Sequence, residues 1–245
     1  MRFDDTTFLV TGASRGIGRA VALGLGRRGA TVAVHHHTTS PAPVIAEIEA
    51  AGGRAFAIHA DLGDPTGPEA LVERVRERTP TVDGLVANAG AVTAGGIDEI
   101  AAADIDRAFA LNTRAPLLLI QAALPLLGPG ARIVTVSASL PRYANPGLLV
   151  QSAAKAALQD VARNLAVALG PRGITVVDVA PGTTRTDLAA GLLAQPGAEE
   201  ALAAETALGR VAEPEDVAEA IVALLAPETA IITAQSIDLS GGYRA

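Results

Sequence analysis

The feature that most constrains the fold is a junction close to the N-terminus. A short apolar run, Thr7 to Thr11, breaks into Gly12-Ala13-Ser14-Arg15-Gly16-Ile17-Gly18, and a helical pattern then continues through Arg28. Gly29 closes that helix, and Ala30 to Val34 supplies a second buried run. Strand, glycine-rich turn, helix and strand in this order form a βαβ unit. Its turn lets backbone approach a pyrophosphate and aims a helix N-terminus at it. Taken alone, the same turn is also compatible with a tight bend that binds nothing.

The alternation continues along the whole chain. Pro43 to Ala51 reads as a helix ended by Gly52-Gly53, and Arg54 to Ala60 as a strand running into Asp61-Leu62. Glu69 to Arg78 is a charged amphipathic helix, and Val82 to Ala87 a strand running into Asn88-Ala89-Gly90. Asp104 to Leu127 is mostly helical with a boundary or kink at Pro116, and Arg132 to Ser137 is a β-branched strand. Ser152 to Leu169 is a long helix, Ile174 to Val179 a strand running into Pro181-Gly182, Glu215 to Leu225 a helix and Ser236 to Leu239 a last strand. About seven strand–helix repeats predict an α/β fold: a single Rossmann-type domain over 1–245, with a doubly wound parallel sheet covered by helices on both faces. Ligands bind such sheets outside the carboxyl ends of the strands, where the turns just named all fall. The Ala/Leu-rich, acidic stretch within 183–209 overlies the same edge and reads as a substrate lid.

Composition excludes several classes of function. A net charge of −7 argues against nucleic acid or an anionic membrane as a bulk partner, and the absence of cysteine removes disulfides, thiolate metal sites and a cysteine nucleophile. The first seven residues are too acidic and polar for a signal peptide, and the richest apolar run, Pro116 to Gly130, is broken by Gln121, Pro125 and Pro129. We therefore expect a cytoplasmic protein. Of the 19 lysine and arginine residues only Lys155 is a lysine. Its retention in an otherwise all-arginine chain points to a role that a planar, permanently charged guanidinium cannot fill.

Thr11-Gly12-Ala13-Ser14-Arg15-Gly16-Ile17-Gly18, Asn88-Ala89-Gly90, Asn112, the Ser-Ala-Ala-Lys155 helix, Pro181-Gly182-Thr183-Thr184-Arg185-Thr186 and a terminal Gly241-Gly242 occur in that order over essentially the whole chain. This pattern resembles the short-chain dehydrogenase/reductase family, and most of all its β-ketoacyl-carrier-protein reductase branch. The resemblance implies seven parallel strands, a nicotinamide cofactor and a homotetramer or homodimer. It also implies that Gly12, Ser14, Arg15, Ile17 and Gly18 form the phosphate turn and that Asp61 and Leu62 flank the adenine. Asn88, Ala89 and Gly90 would support the adenosine ribose, while Pro181, Gly182, Thr184 and Thr186 would hold the carboxamide. Thr184 replaces a frequent isoleucine.

The second strand ends His35-His36-His37-Thr38-Thr39, with no carboxylate to accept from both ribose hydroxyls. Arg15 is available for a 2′-phosphate, with His36, His37 and Thr38 beside it, so NADP(H) is favoured over NAD(H). Consecutive histidines at a strand end point to different faces, and no metal site is expected there.

The likeness fails at the proton donor. In the family a tyrosine four residues before the lysine donates the proton, a serine binds the substrate oxygen, the lysine holds the nicotinamide ribose and an asparagine supports a water relay. Lys155 and Asn112 are present, but the tyrosine position is Gln151 and the serine position Ala138. Ser137 and Ser139 flank the latter, each offset by one residue; a slipped alignment would bring in Ser139. Tyr143 lies in the following loop, where its phenol either swings toward the site or simply packs. A glutamine amide can orient an oxygen but has no proton to give near neutral pH. We expect an oxidoreductase, a ketoreductase with a non-standard proton path through water or the substrate, acting on a moderately hydrophobic small molecule. Two alternatives stay open: a non-redox cyclase, dehydratase or isomerase on the same scaffold, and an inactive NADP(H)-binding subunit in a heteromer with an active relative.

Overall fold

The computed structural model describes all 245 residues. Its centre is a seven-stranded sheet in the order β3-β2-β1-β4-β5-β6-β7, every neighbouring pair parallel. The strands are β1 (Thr7–Val10), β2 (Thr31–His36), β3 (Arg54–His59), β4 (Val82–Ala87), β5 (Leu127–Val136), β6 (Thr175–Pro181) and β7 (Ser236–Leu239). Alternation along each strand divides the core between two faces. Phe8 and Val10 pack with α1 (Gly16–Gly26), α2 (Ala42–Ala50) and α9 (Pro214–Leu224), whereas Leu9 packs with α3 (Gly67–Arg76), α5 (Ala115–Ala123) and α6 (Leu149–Leu169). With both faces covered, the strands are nearly continuous apolar runs, as buried parallel strands must be. The order reverses between β1 and β4, so the turns after these two strands open one crevice at the carboxyl edge.

One boundary differs from expectation in an informative way. The helical stretch begins as α4 (Ala102–Phe109), widens into a π-helical turn at Ala110–Arg114, and resumes as α5 with Pro116 in its first turn. Proline has no N–H to donate, so the preceding carbonyls lose a regular partner and the helix relaxes into a wider turn instead of breaking. Asn112 lies in that turn, 1% exposed.

The stretch over 183–209 carries two short helices, α7 (Ala190–Leu193) and α8 (Ala198–Ala204). Arg185 ties it down through ion pairs to Glu199 and Glu213. No helix of the chain is long and apolar enough to cross a membrane.

Candidate active site

The turn after β1 is shaped by Gly12 and Gly16, with φ of +62° and +54°, values that side-chain-bearing residues adopt at a cost. Thr11 and Asn88 fasten it to the turn after β4. The Thr11 hydroxyl accepts from the N–H groups of Asn88 and Ala89 at 2.9 and 3.0 Å, and Asn88 Nδ2 donates to Thr11 O at 2.8 Å. Gly18 is needed for close approach: a Cβ there would lie 2.3 Å from Gly12 O and 2.5 Å from Asn88 Nδ2. The N-terminus of α1 thereby faces a cleft of about 750 Å³.

Most of the expected cofactor residues meet in this cleft. Gly12, Ser14, Arg15, Ile17, His37, Thr38, Asp61, Leu62, Asn88, Ala89, Gly90 and Thr186 all line it, with Thr186 against Gly16 of the glycine turn. Gly18 supports the turn from beneath. Pro181, Gly182 and Thr184 lie outside the cleft lining; Thr184 is buried and donates to Gly182 O at 3.1 Å.

His36 departs from the expectation. It turns away from the cleft and meets His59 edge-on at 5.4 Å, and the residue that reaches the turn is His35. His35 Nδ1 accepts from Gly12 N–H at 3.0 Å, which leaves Nε2 protonated to donate to Ala60 O at 3.1 Å. Burial lowers its pKa to about 4, so this brace between the glycine turn and the end of β3 is neutral in ordinary buffers. Strict alternation along β2 was the available clue, since residues 35 and 36 must face opposite ways. Arg107, Arg114 and Leu188 also line the cleft and carried no motif that would have marked them. No cluster of three or more metal-ligating side chains is present.

Beside the cleft, α6 presents Gln151, Lys155 and Gln159 on successive turns toward the end of β5. Lys155 is 7% exposed and donates to Val136 O at 2.9 Å; burial lowers its pKa to about 8. The π turn brings Asn112 up to it. A Cβ on Gly90 would lie 2.8 Å from Asn112 Oδ1 and 3.4 Å from Lys155 Nζ, so only glycine fits between the two. Asn112 is oriented by bonds from its Nδ2 to Ala91 O and Ala108 O at 3.1 and 3.0 Å.

Gln151, 4% exposed, accepts from Thr93 N–H through Oε1 at 3.2 Å. Only the carbonyl end can accept from an N–H, which fixes the amide's direction and leaves its Nε2 donating to no protein atom. Ser137, Ser139 and Tyr143 make no hydrogen bond to Gln151. Ser137 is turned into the sheet, donating to Asp178 at 2.6 Å, as the one-residue offset requires. Ser139 is buried and makes no hydrogen bond to Gln151 or Lys155; its backbone N–H pairs with Pro181 O at 2.9 Å. Tyr143 packs edge-on against Tyr243 at 5.0 Å with Arg244 over both rings, the simple packing alternative.

Comparison with known proteins agrees with this geometry. A family model described as enoyl-(acyl carrier protein) reductase matches residues 12–244. L-rhamnose 1-dehydrogenase (NAD(P)(+)) of Sphingomonas sp. is 35% identical over 98% of this chain and 96% of its own. Versicolorin reductase of Emericella nidulans is 34% identical over 98% and 96%. Among solved structures, the angucycline C-6 ketoreductase LanV with bound NADP superposes with a TM-score of 0.93 at 40% identity, covering 98% of this chain and 96% of LanV. The reductase LugOII, which catalyses keto-reduction at C1 during lugdunomycin biosynthesis, gives 0.93 at 38% with complete coverage of both chains. Fold, site and relatives together define a nicotinamide-dependent oxidoreductase. The chain belongs to the short-chain dehydrogenase/reductase family.

Proposed function

We propose that this protein is an NADP(H)-dependent ketoreductase of a polycyclic or phenolic ketone, with the proton coming from water or from the substrate. The observation that carries the reading is the pairing of a cleft lined by the glycine turn and most of the expected cofactor residues with a buried Lys155 and a glutamine in the acid position. The cradle fits the cofactor on its own geometry: an open glycine turn at a helix N-terminus, and no carboxylate at the end of β2. Arg15 lines the cleft, half exposed and 3.7 Å from Asp187, and its guanidinium is the cation we assign to a 2′-phosphate; the bound NADP of LanV supports this.

Bound there, NADPH supplies a hydride to the substrate carbonyl. The protein's own contributions are separable. Lys155 offers an ammonium for the cofactor's ribose, positioned by Val136 O. Gln151 offers a directed N–H to the oxygen that becomes negative, which lowers the barrier without giving up a proton. Asn112 and Lys155 order the water that protonates this oxygen, or a phenol on the substrate does so itself. Positioning alone supplies a large part of catalysis. General acid help, which the site lacks, is worth roughly 10²–10⁴ in rate.

The test is nicotinamide oxidation across a panel of ketones with and without a neighbouring phenol. The wild type is expected to reduce ketones of the panel, with a preference for phenol-bearing ones where the substrate supplies the proton and no such preference where water does. The double variant Gln151→Tyr, Ala138→Ser is expected to raise turnover of simple ketones by roughly 10²–10⁴. Tight NADPH binding with no ketone turned over by the wild type would overturn the reading. Product formation without nicotinamide consumption would favour the non-redox alternative.

A further inference from the structure

The chain holds only two tyrosines, and neither serves the chemistry above. Both meet in one cluster that joins three segments far apart in sequence. Tyr143 lies between β5 and α6, Glu205 directly follows α8, and Tyr243 and Arg244 follow β7. Tyr243 donates its hydroxyl to Glu205 Oε2 at 2.7 Å, and Arg244 donates to both oxygens of the same carboxylate at 2.7 and 3.0 Å. The Arg244 guanidinium lies over both rings, 5.5 Å from the centre of Tyr143 and 5.2 Å from that of Tyr243. An exposed ion pair on its own contributes little, but a two-oxygen pair whose cation also covers two aromatic rings is held in one geometry.

The backbone makes the same crossing. Gly241 and Gly242, with φ of +69° and +78°, turn the chain after β7 back across the end of the 183–209 stretch. Their carbonyls accept from the N–H groups of Leu208 and Ala207 at 3.1 and 3.2 Å, and Arg244 N–H donates to Glu205 O at 2.9 Å. The fit is close: a Cβ on Gly242 would lie 2.8 Å from Ala207 Cβ. The stretch is thereby fastened at two places. Arg185, next to the cleft residue Thr186, holds the start of α8 through Glu199, and Arg244 holds its end through Glu205. The stacked pair of Tyr243 and Tyr143 carries this second anchor over to the loop that runs into α6 and Gln151.

We propose that Tyr143 and Arg244 are positioning residues acting through Glu205 and α8: with the segment after β7 they form a strap that sets the 183–209 lid over the ketone. The consequence for the ketone rests on the ketoreductase reading above; the anchoring of the lid does not. A cluster that only stiffened the surface would change how often the lid opens and leave ketone binding where it is.

Hydrogen exchange followed by mass spectrometry reads the anchoring, and steady-state kinetics read its consequence. In Arg244→Ala and Tyr143→Ala the amides of residues 190–204 should exchange roughly fivefold or more faster than in wild type, while those of the turn after β1 keep their rates. Tyr143→Phe, which retains the ring under the guanidinium, should match wild type. KM for a ketone that the wild type reduces should rise about tenfold in the two alanine variants, with kcat and NADPH affinity changed by less than about twofold. Unchanged exchange in both alanine variants overturns the proposal. Faster exchange with an unchanged KM overturns the positioning role. A wild type that reduces no ketone overturns the ketoreductase reading and the ketone clause with it, and exchange then decides the anchoring alone.

Discussion

Lys155 destabilises the fold at neutral pH, because a buried ammonium has exchanged water for one carbonyl and a carboxylate one strand away. Its pKa of about 8 in the folded chain lies below the ordinary 10.5, so the folded state disfavours the charged form. Below pH 8 that penalty is fully present, roughly 3 kcal/mol; it is relieved as pH rises from 8 to 10.5, and beyond that it is gone. Between pH 8 and 10.5 the wild-type melting temperature is therefore expected to rise relative to that of Lys155→Met, in which the titrating group is gone, and the NADPH affinity of the variant at pH 7 should be about tenfold weaker or more. A difference between the two melting temperatures that stays constant across this window would show that the ammonium is better solvated than its burial implies. Lysine uniqueness was visible in the sequence. What could not be read there was Asp178, a lone acid in an apolar strand whose hydroxyl partners come from two distant segments, Thr135 and Ser137 at the end of β5 and Ser236 on β7.

The turn between β1 and α1 is the element most fully determined by local sequence, since its glycines meet steric requirements that act over a few residues. A methyl group at Gly18 would strike the Gly12 carbonyl and the Asn88 amide, two groups that hold the turn and cannot swing aside. Gly18→Ala is expected to destabilise the protein by about 1–3 kcal/mol and to weaken NADPH binding roughly tenfold or more. Gly128→Ala, where a Cβ meets nothing within 4 Å, is the control and should change neither. Urea unfolding and a fluorescence titration of the two variants decide it; a Gly18→Ala protein indistinguishable from wild type would remove the turn from the site. The helical stretch around Pro116 was less legible. Its proline marked an interruption, but a π turn rather than a break follows only because α5 remains packed on β4 and the helical run must continue to reach it.

Across the whole molecule, ligand binding and folding are linked. At a concentration a hundred times its dissociation constant, NADPH is expected to add about 2.7 kcal/mol of stability. In a chain of this size that raises the melting temperature by roughly 5–10 °C. NADH at the same concentration should raise it less, and equal shifts would refute the preference drawn from His37, Thr38 and Arg15. The amino-acid sequence by itself determined the layered α/β architecture, the phosphate turn and the absence of a tyrosine four residues before Lys155. Each of these rests on short-range periodicity, on glycine sterics or on the identity of one residue. Tertiary structure decided which histidine braces the turn, where Tyr143 packs, which end of the Gln151 amide is free and what lies beneath Lys155. Those outcomes depend on contacts between segments far apart in the chain, such as Thr93 with Gln151 and Ser137 with Asp178, which no local pattern encodes.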